Sequence, residues 1–418
     1  MPSRRVSCST ILLLTIIVAL TGAVLVSRFD RIELHFGGVG VDVQRVATVG
    51  LPVPGNEVIV TPDRIESRAI PDGRTKTRNV ILVIGDGMGL GALSTASTLL
   101  FGPDGGLQVE SAPVVGLVRT WASNDAVTGS AASASAMATG IKTPRKKIAM
   151  GDDGRRHRTL LEAAAIHGLS TGVITTSGLV DATPASFLSH AASRYDFRPI
   201  LEQMLMSDAE VLIGGDFTRH HRAKKDHEYL ELLQDSDALE QSGRWIITDG
   251  ERLREAQTPM IALFPPRSRL AYAHGPALSD SADFALDVLS RNPTGFVLVV
   301  ECEEPDEGAH SNDWGRLADG IEELDLATKR VLEFARNHHE TLVIVTADHD
   351  AAGTALVQGR FDAATAMVKW VSNDHTGSWV PLFAFGPGAA RFGGVMDNTQ
   401  IGIRIADLLG LEGLPAVL

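Results

Sequence analysis

Cysteine, tyrosine and net base are all scarce in this 418-residue chain. It has two cysteines, three tyrosines and 5% aromatic residues, and acids outnumber Lys and Arg for a net charge of −13. With Cys8 in an N-terminal apolar stretch and Cys302 far from it, a disulfide-stapled scaffold is excluded. The absence of a basic patch argues against a general nucleic-acid partner. An acidic chain can still take an anionic ligand if bound metals supply the local positive charge. Repeats and low-complexity tracts are also missing. Long uncharged runs are rare, which makes Ile11 to Val26, flanked by Arg4 and Arg5, stand out. A basic flank before an apolar stretch is the form of a signal peptide or signal anchor over residues 1–27. The expectation is an exported protein, periplasmic or extracellular, held at a membrane if the segment stays uncleaved.

What is present suits a globular enzyme: 44% hydrophobic and 21% charged residues. Residues 28–77 contain Pro52, Pro54, Pro62 and Pro71 and read as a linker or short strands. From residue 78 to 418, short apolar runs alternate with helical patterns. Strands are expected at 80–84, 171–175, 211–213, 245–248, 260–263, 296–300, 342–346 and 382–385. Helices are expected at 130–138, 159–166, 279–289, 317–337 and 400–409. Several strands are apolar throughout, as in a parallel sheet covered on both faces. The fold class is therefore α/β, a central largely parallel sheet with helices on both faces. Residues of about 217–272 carry charge but no ligand motif and read as a peripheral insertion.

Six segments pair Asp, Glu, His, Ser, Thr or Arg with turn residues: 79–89, 127–140, 181–194, 301–310, 345–350 and 374–378. In open α/β sheets ligands bind beyond the carboxyl ends of the strands. Asp86, Glu301, Asp348 and His349 each stand at such an end. Asp86 lies among glycines that allow close approach to an ion, although Asp also caps helices. Ser130 opens an Ala/Ser-rich helix, where free N–H groups favour phosphate and a hydroxyl can act as nucleophile if a metal lowers its pKa. Ser is equally a common cap. Asp181 and Thr183 offer hard oxygens suited to Mg²⁺, and Arg194 a planar fork matched to phosphate. Asp306 and His310 share one face at i, i+4 spacing if helical. With His375 and the Asp348–His349 pair they suit Zn²⁺. The pairs His220/His221 and His338/His339 sit among charges and read as solvated surface.

Together these residues resemble the alkaline phosphatase family over roughly residue 78 to the C-terminus, on VIGDGMG, DATPA with a trailing SR, TADH and HTGS. The resemblance implies hydrolysis of small-molecule phosphate monoesters through a phosphoserine on Ser130, two Zn²⁺, one Mg²⁺ and a homodimer. It implies Asp306, His310 and His375 as ligands of the first zinc, and Asp86, Asp348 and His349 as ligands of the second. Asp86, Thr183 and Glu301 would hold magnesium with Asp181 beside them, and Arg194 would clamp phosphate. A phosphodiesterase or other ester hydrolase on the same scaffold, or a non-catalytic metal-binding member, are the alternatives. Three departures stand out. Gly129 replaces an Asp expected to orient Arg194. Glu307 follows Asp306 where Lys, an aromatic or an imidazole is common. Cys302, Glu303 and Glu304 replace small residues. The expectation is a looser clamp, weaker phosphate binding through repulsion by Glu307, and a higher demand for divalent metal.

Overall fold

The computed structural model describes residues 75–215, 236–264 and 276–418, and the backbone of short strands at Glu33–Phe36, Val39–Asp42, Val46–Gly50, Phe217–Arg219 and Tyr229–Glu231. The apolar run at 11–26 and the pair His220/His221 lie outside the described residues. No described helix is long and apolar enough to cross a membrane. The chain divides into two units, Met1–Val46 and Ala47–Leu418. In the first, Glu33–Phe36 pairs antiparallel with Val39–Asp42.

The second unit is built on a ten-stranded sheet. In chain order its strands are β1 Asn79–Gly85, β2 Val114–Arg119, β3 Ser170–Gly178, β4 Val211–Gly215, β5 Trp245–Ile247, β6 Met260–Phe264, β7 Phe296–Cys302, β8 Thr341–Ala347, β9 Val380–Phe385 and β10 Gly394–Asp397. The spatial order is β5-β6-β4-β3-β7-β1-β8-β9-β2-β10. Only β9 runs against the others, antiparallel to both β8 and β2. The helices are α1 Leu90–Phe101, α2 Ser130–Thr139, α3 Leu160–Ile166, α4 Ala182–Leu188, α5 Phe197–Leu205, α6 Ser236–Gln241, α7 Leu278–Leu289, α8 Glu304–His310, α9 Trp314–Asn337 and α10 Thr399–Leu409.

All eight expected strands and all five expected helices are present. The central strands β7 and β8 are buried along their whole length, which is why their sequences are unbroken apolar runs. Each fully buried Val, Ile or Leu contributes about 1.5–3 kcal/mol to the core. Two strands are missing from the sequence reading, β2 and β10: β2 alternates, with Val114 and Val118 buried and Val115 exposed, and β10 is a short edge strand with Val395 exposed. Within the stretch of about 217–272, β5 and β6 form the outer edge of the sheet, and Phe217–Arg219 pairs antiparallel with Tyr229–Glu231 outside it.

The register of β7, β1 and β8 sets the site. Glu301 lies opposite Ile84, which lies opposite Thr346. Three parallel strands thus end level, and Asp86, Glu301, Asp348 and His349 emerge at the same edge.

Candidate metal and phosphate site

The turn after β1 is shaped by Gly87, at φ 66°. A Cβ there would lie 2.6 Å from Asp306 Oδ1, so only glycine allows the two segments to meet. Its N–H donates to Asp348 Oδ1 at 3.1 Å, and its carbonyl accepts from Ala351 N–H at 3.0 Å. Asp350–Ala351 then pairs antiparallel with His375–Thr376. Asp86, Asp348 and His375 are therefore fixed to one another through backbone.

Asp306 and His310 lie on α8, a helix with Pro305 in its first turn, where a missing N–H is harmless. α9 packs tightly behind it, because a Cβ at Gly308 would come 2.4 Å from the Leu317 nitrogen. The i, i+4 spacing brings His310 Nε2 to 3.2 Å from Asp306 Oδ2.

Two compact groups of ligand-type atoms result, Asp306/His310/His375 and Asp86/Asp348/His349. In the first, His310 Nδ1 contacts the Asn373 carbonyl at 2.7 Å and His375 Nδ1 the Thr128 carbonyl at 2.9 Å. Those carbonyls hold the protons on Nδ1, so that each ring when neutral offers an Nε2 lone pair, the two atoms 3.1 Å apart. In the second, His349 Nε2 lies 3.2 Å from Asp86 Oδ1 and 3.3 Å from Asp348 Oδ2. Asp86 Oδ1, Asp306 Oδ1, Asp348 Oδ2 and Thr183 Oγ1 are buried without a hydrogen-bond partner. Buried polar atoms are ordinarily satisfied, so these orphaned oxygens, facing imidazole lone pairs, fit divalent cations.

The electrostatics agree. Burial, then Asp348 and Asp306, push the Asp86 carboxyl well up, and burial followed by the Asp306 charge pushes Asp348 to about 7. Burial raises Glu301 strongly, against the 2.5 Å hydrogen bond from Thr175 to its Oε2. Burial also opposes ionisation of Asp306, but His310, His375 and His349 outweigh it and hold that carboxyl far below the usual range. Asp306 in turn raises His310 to about 9 despite burial. Burial lowers His375 and, more strongly, His349.

Ser130 is the first residue of α2 rather than its cap, a place taken by Gly129. Its hydroxyl is buried, 3.3 Å from His349 Nε2. The helix is anchored from the same side: Ser133 donates to the Asp348 carbonyl at 2.5 Å and accepts from Asn398 at 3.0 Å. Every residue of α2 is buried, which its Ala/Ser composition makes sterically feasible.

Asp181 caps α4, accepting from Ala182 N–H at 2.6 Å, and Arg194 donates to the same carboxylate oxygen. Its second oxygen accepts from Ser177 at 3.2 Å. Arg194 is therefore oriented by Asp181, and the looser clamp expected from Gly129 does not follow. Repulsion by Glu307 is corrected too. Its carboxylate is buried, pairs with Arg316 at 2.7 Å and does not line the cleft. Glu304 accepts from Thr176 at 2.5 Å, whereas Glu303 does reach the cleft. His338 and His339 are exposed, as expected of surface.

The cleft measures about 680 Å³ and is lined by Ser130, Arg194, Asp86, Asp306, His310 and His375. Asn124, Arg145, Lys146 and Tyr195 line it as well. Sequence reasoning missed these four. The Arg145–Lys146–Lys147 run is visible, but it has no motif of its own.

The alkaline phosphatase family model matches residues 77–360. An alkaline phosphatase of Escherichia coli strain K12 is 30% identical, covering 88% of this chain and 93% of that one. Among solved structures, alkaline phosphatase from the Antarctic bacterium TAB5 superimposes with a TM-score of 0.70 at 29% identity, over 81% of this chain and 99% of that one. A mutant of the TAB5 enzyme matches with a TM-score of 0.68 at 29% identity and the same coverage, and is described with Mg bound in its M3 site. The parallel sheet, the two carboxylate–imidazole groups and these likenesses agree: the chain belongs to the alkaline phosphatase family of metal-dependent phosphoric monoester hydrolases.

Proposed function

We propose that this chain hydrolyses phosphate monoesters through a phosphoserine on Ser130. The observation that carries the reading is the buried Ser130 hydroxyl at the N-terminus of α2, 3.3 Å from His349 Nε2, in one cleft with Arg194. Asp306, His310 and His375 would hold one Zn²⁺, and Asp86, Asp348 and His349 a second. Asp86, Thr183 and Glu301 form a hard oxygen set that suits Mg²⁺, with Asp181 beside them; the Mg in the TAB5 mutant supports this. When bound, the metals supply Lewis acidity that lowers the pKa of the nucleophile and stabilises the departing oxygen.

The chain's own residues do the rest. Arg194, pre-set by Asp181, binds two equatorial phosphate oxygens through its planar fork. The free N–H groups at the start of α2 face the same phosphate. Ser130 Oγ forms the new P–O bond as the ester oxygen departs on the opposite side. Water then cleaves the phosphoserine, releasing inorganic phosphate and restoring Ser130. The basic-flanked apolar run at 11–26 supports an exported enzyme.

The experiment is p-nitrophenyl phosphate hydrolysis between pH 7 and 10 by chelator-stripped protein restored with Zn²⁺ and Mg²⁺. Metal-restored activity that drops on the order of a thousandfold in Ser130→Ala supports the reading. Equal activity in the variant contradicts it.

A further inference from the structure

We propose that Arg145 and Lys146 form a second anion subsite at the rim of the cleft, so that the preferred substrates are phosphate monoesters whose leaving alcohol carries another negative group. The proposal rests on the phosphomonoesterase reading above. With Arg194, these are the cationic side chains that line the cleft among the described residues.

The rim segment is rigidly joined to the phosphate clamp. Ile148 N–H donates to the Ala191 carbonyl at 2.9 Å, and Ala191 N–H donates to the Ile148 carbonyl at 3.1 Å. Arg194 N–H donates to the Lys146 carbonyl at 2.6 Å. The position of the rim cations therefore follows the position of Arg194 through backbone. Arg145 is oriented on the other side, by the loop that leads into Ser130. Its N–H donates to Asn124 Oδ1 at 2.9 Å, and its guanidinium pairs with Asp125 at 3.0 Å. Asp125 offsets part of the Arg145 charge. Lys146 is exposed and makes no ion pair with a described residue.

Lys146 also has φ 68°. Side chains with a Cβ avoid this left-handed region, which Gly and Asn enter more readily. Such an outlier beside a site points to a functional constraint. A long cationic side chain held there places positive charge at the rim of a cleft that Asp86, Glu303, Asp306 and Asp374 also line. With the phosphoryl group between Ser130 and Arg194, the leaving alcohol occupies the remaining cleft, where a carboxylate or second phosphate meets these cations.

The test uses two matched ester pairs with metal-loaded protein: glycerol 3-phosphate against 3-phosphoglycerate, and 3-hydroxypropyl phosphate against 1,3-propanediol bisphosphate. The readout is the ratio of kcat/KM, anionic over neutral, in wild type, Lys146→Gly and Lys146→Arg. Glycine relieves the backbone while removing the charge. The expected result is a ratio above one that falls roughly fivefold in Lys146→Gly, is retained in Lys146→Arg and shrinks in high salt. A response in one pair alone identifies carboxylate or phosphate as the second group. The same ratio is read as binding affinity by calorimetry in a Ser130→Ala background, so absent turnover sinks the phosphoserine reading without touching the subsite. A ratio equal in wild type and Lys146→Gly, in turnover or binding, overturns the subsite, as does equal loss in Lys146→Arg and Lys146→Gly.

Discussion

The two carboxylate–imidazole groups differ in how they meet the cost of burial. In Asp306/His310/His375 the acid is outnumbered by imidazoles, and Asp306 pairs with His310 one helical turn away. A proton on His310, raised to about 9, can stand where a cation would. In Asp86/Asp348/His349 two acids face one imidazole that burial keeps neutral. All three residues are buried, and Asp348 rises to about 7. The outer group balances its acid with an imidazolium, while the inner one must keep its carboxyls protonated or take a metal cation. Ligand composition, not distance alone, sets how far a site's stability is tied to its metal.

Activity gives the largest expected contrast. With Zn²⁺ and Mg²⁺ restored, His349→Ala, beside Ser130, is expected to lose turnover of p-nitrophenyl phosphate on the order of a thousandfold. His310→Ala is expected to lose about a hundredfold. The reverse ranking would break the comparison.

Next come stabilities of opposite sign in metal-free protein. Asp348→Asn keeps an acceptor for Gly87 N–H and removes a buried charge, so denaturant unfolding should show a gain of about 1–3 kcal/mol. Asp306→Asn removes the partner of His310 and should cost a similar about 1–3 kcal/mol. Matching signs would mean that the two groups are not distinct.

The pH dependence sharpens the point. Asp348 stands at about 7 in the fold, above its unfolded value, so the penalty for holding it grows as pH rises through that interval. His310 contributes stability below its unfolded pKa of ~6.5 that is lost as pH rises through about 9. Depressed His349 and His375 act in the opposite direction, but only below ~6.5. From pH 6.5 to 9 the Tm of stripped protein should therefore fall by several degrees, on the order of 1–2 kcal/mol of stability. Metal-loaded protein should show a flatter curve. A rising Tm in stripped protein would contradict the assignment.

The smallest expected effect is at Glu307. Because it pairs with Arg316 away from the cleft, Glu307→Lys should leave the phosphate inhibition constant within about twofold while lowering Tm through the buried cation it creates. A large change in inhibition would restore the repulsion first expected from the sequence.

Much of this was legible before the fold. Unbroken apolar runs marked β1, β7 and β8, and the residues just past them are those gathered at the sheet edge. The i, i+4 spacing of Asp306 and His310 foretold a shared face on α8. What sequence could not show was contact between distant segments. Arg316 lies nine residues beyond Glu307 and neutralises it, and Asp181 orients Arg194 where Gly129 cannot. Arg145 and Lys146 belong to no sequence motif, and only the backbone ladder at 146–148 and 191–194 brings them to the cleft. The alternating strand β2, half exposed, and the short, mostly exposed edge strand β10 lacked the apolar continuity that marked β9 and the central strands.

The most direct test of the central claim is peptide mass analysis of metal-loaded protein, acid-quenched during turnover of p-nitrophenyl phosphate. The account predicts one phosphoryl group on the peptide carrying Ser130, absent from Ser130→Ala. Turnover with no phosphorylated Ser130, or phosphorylation at another residue, would contradict it.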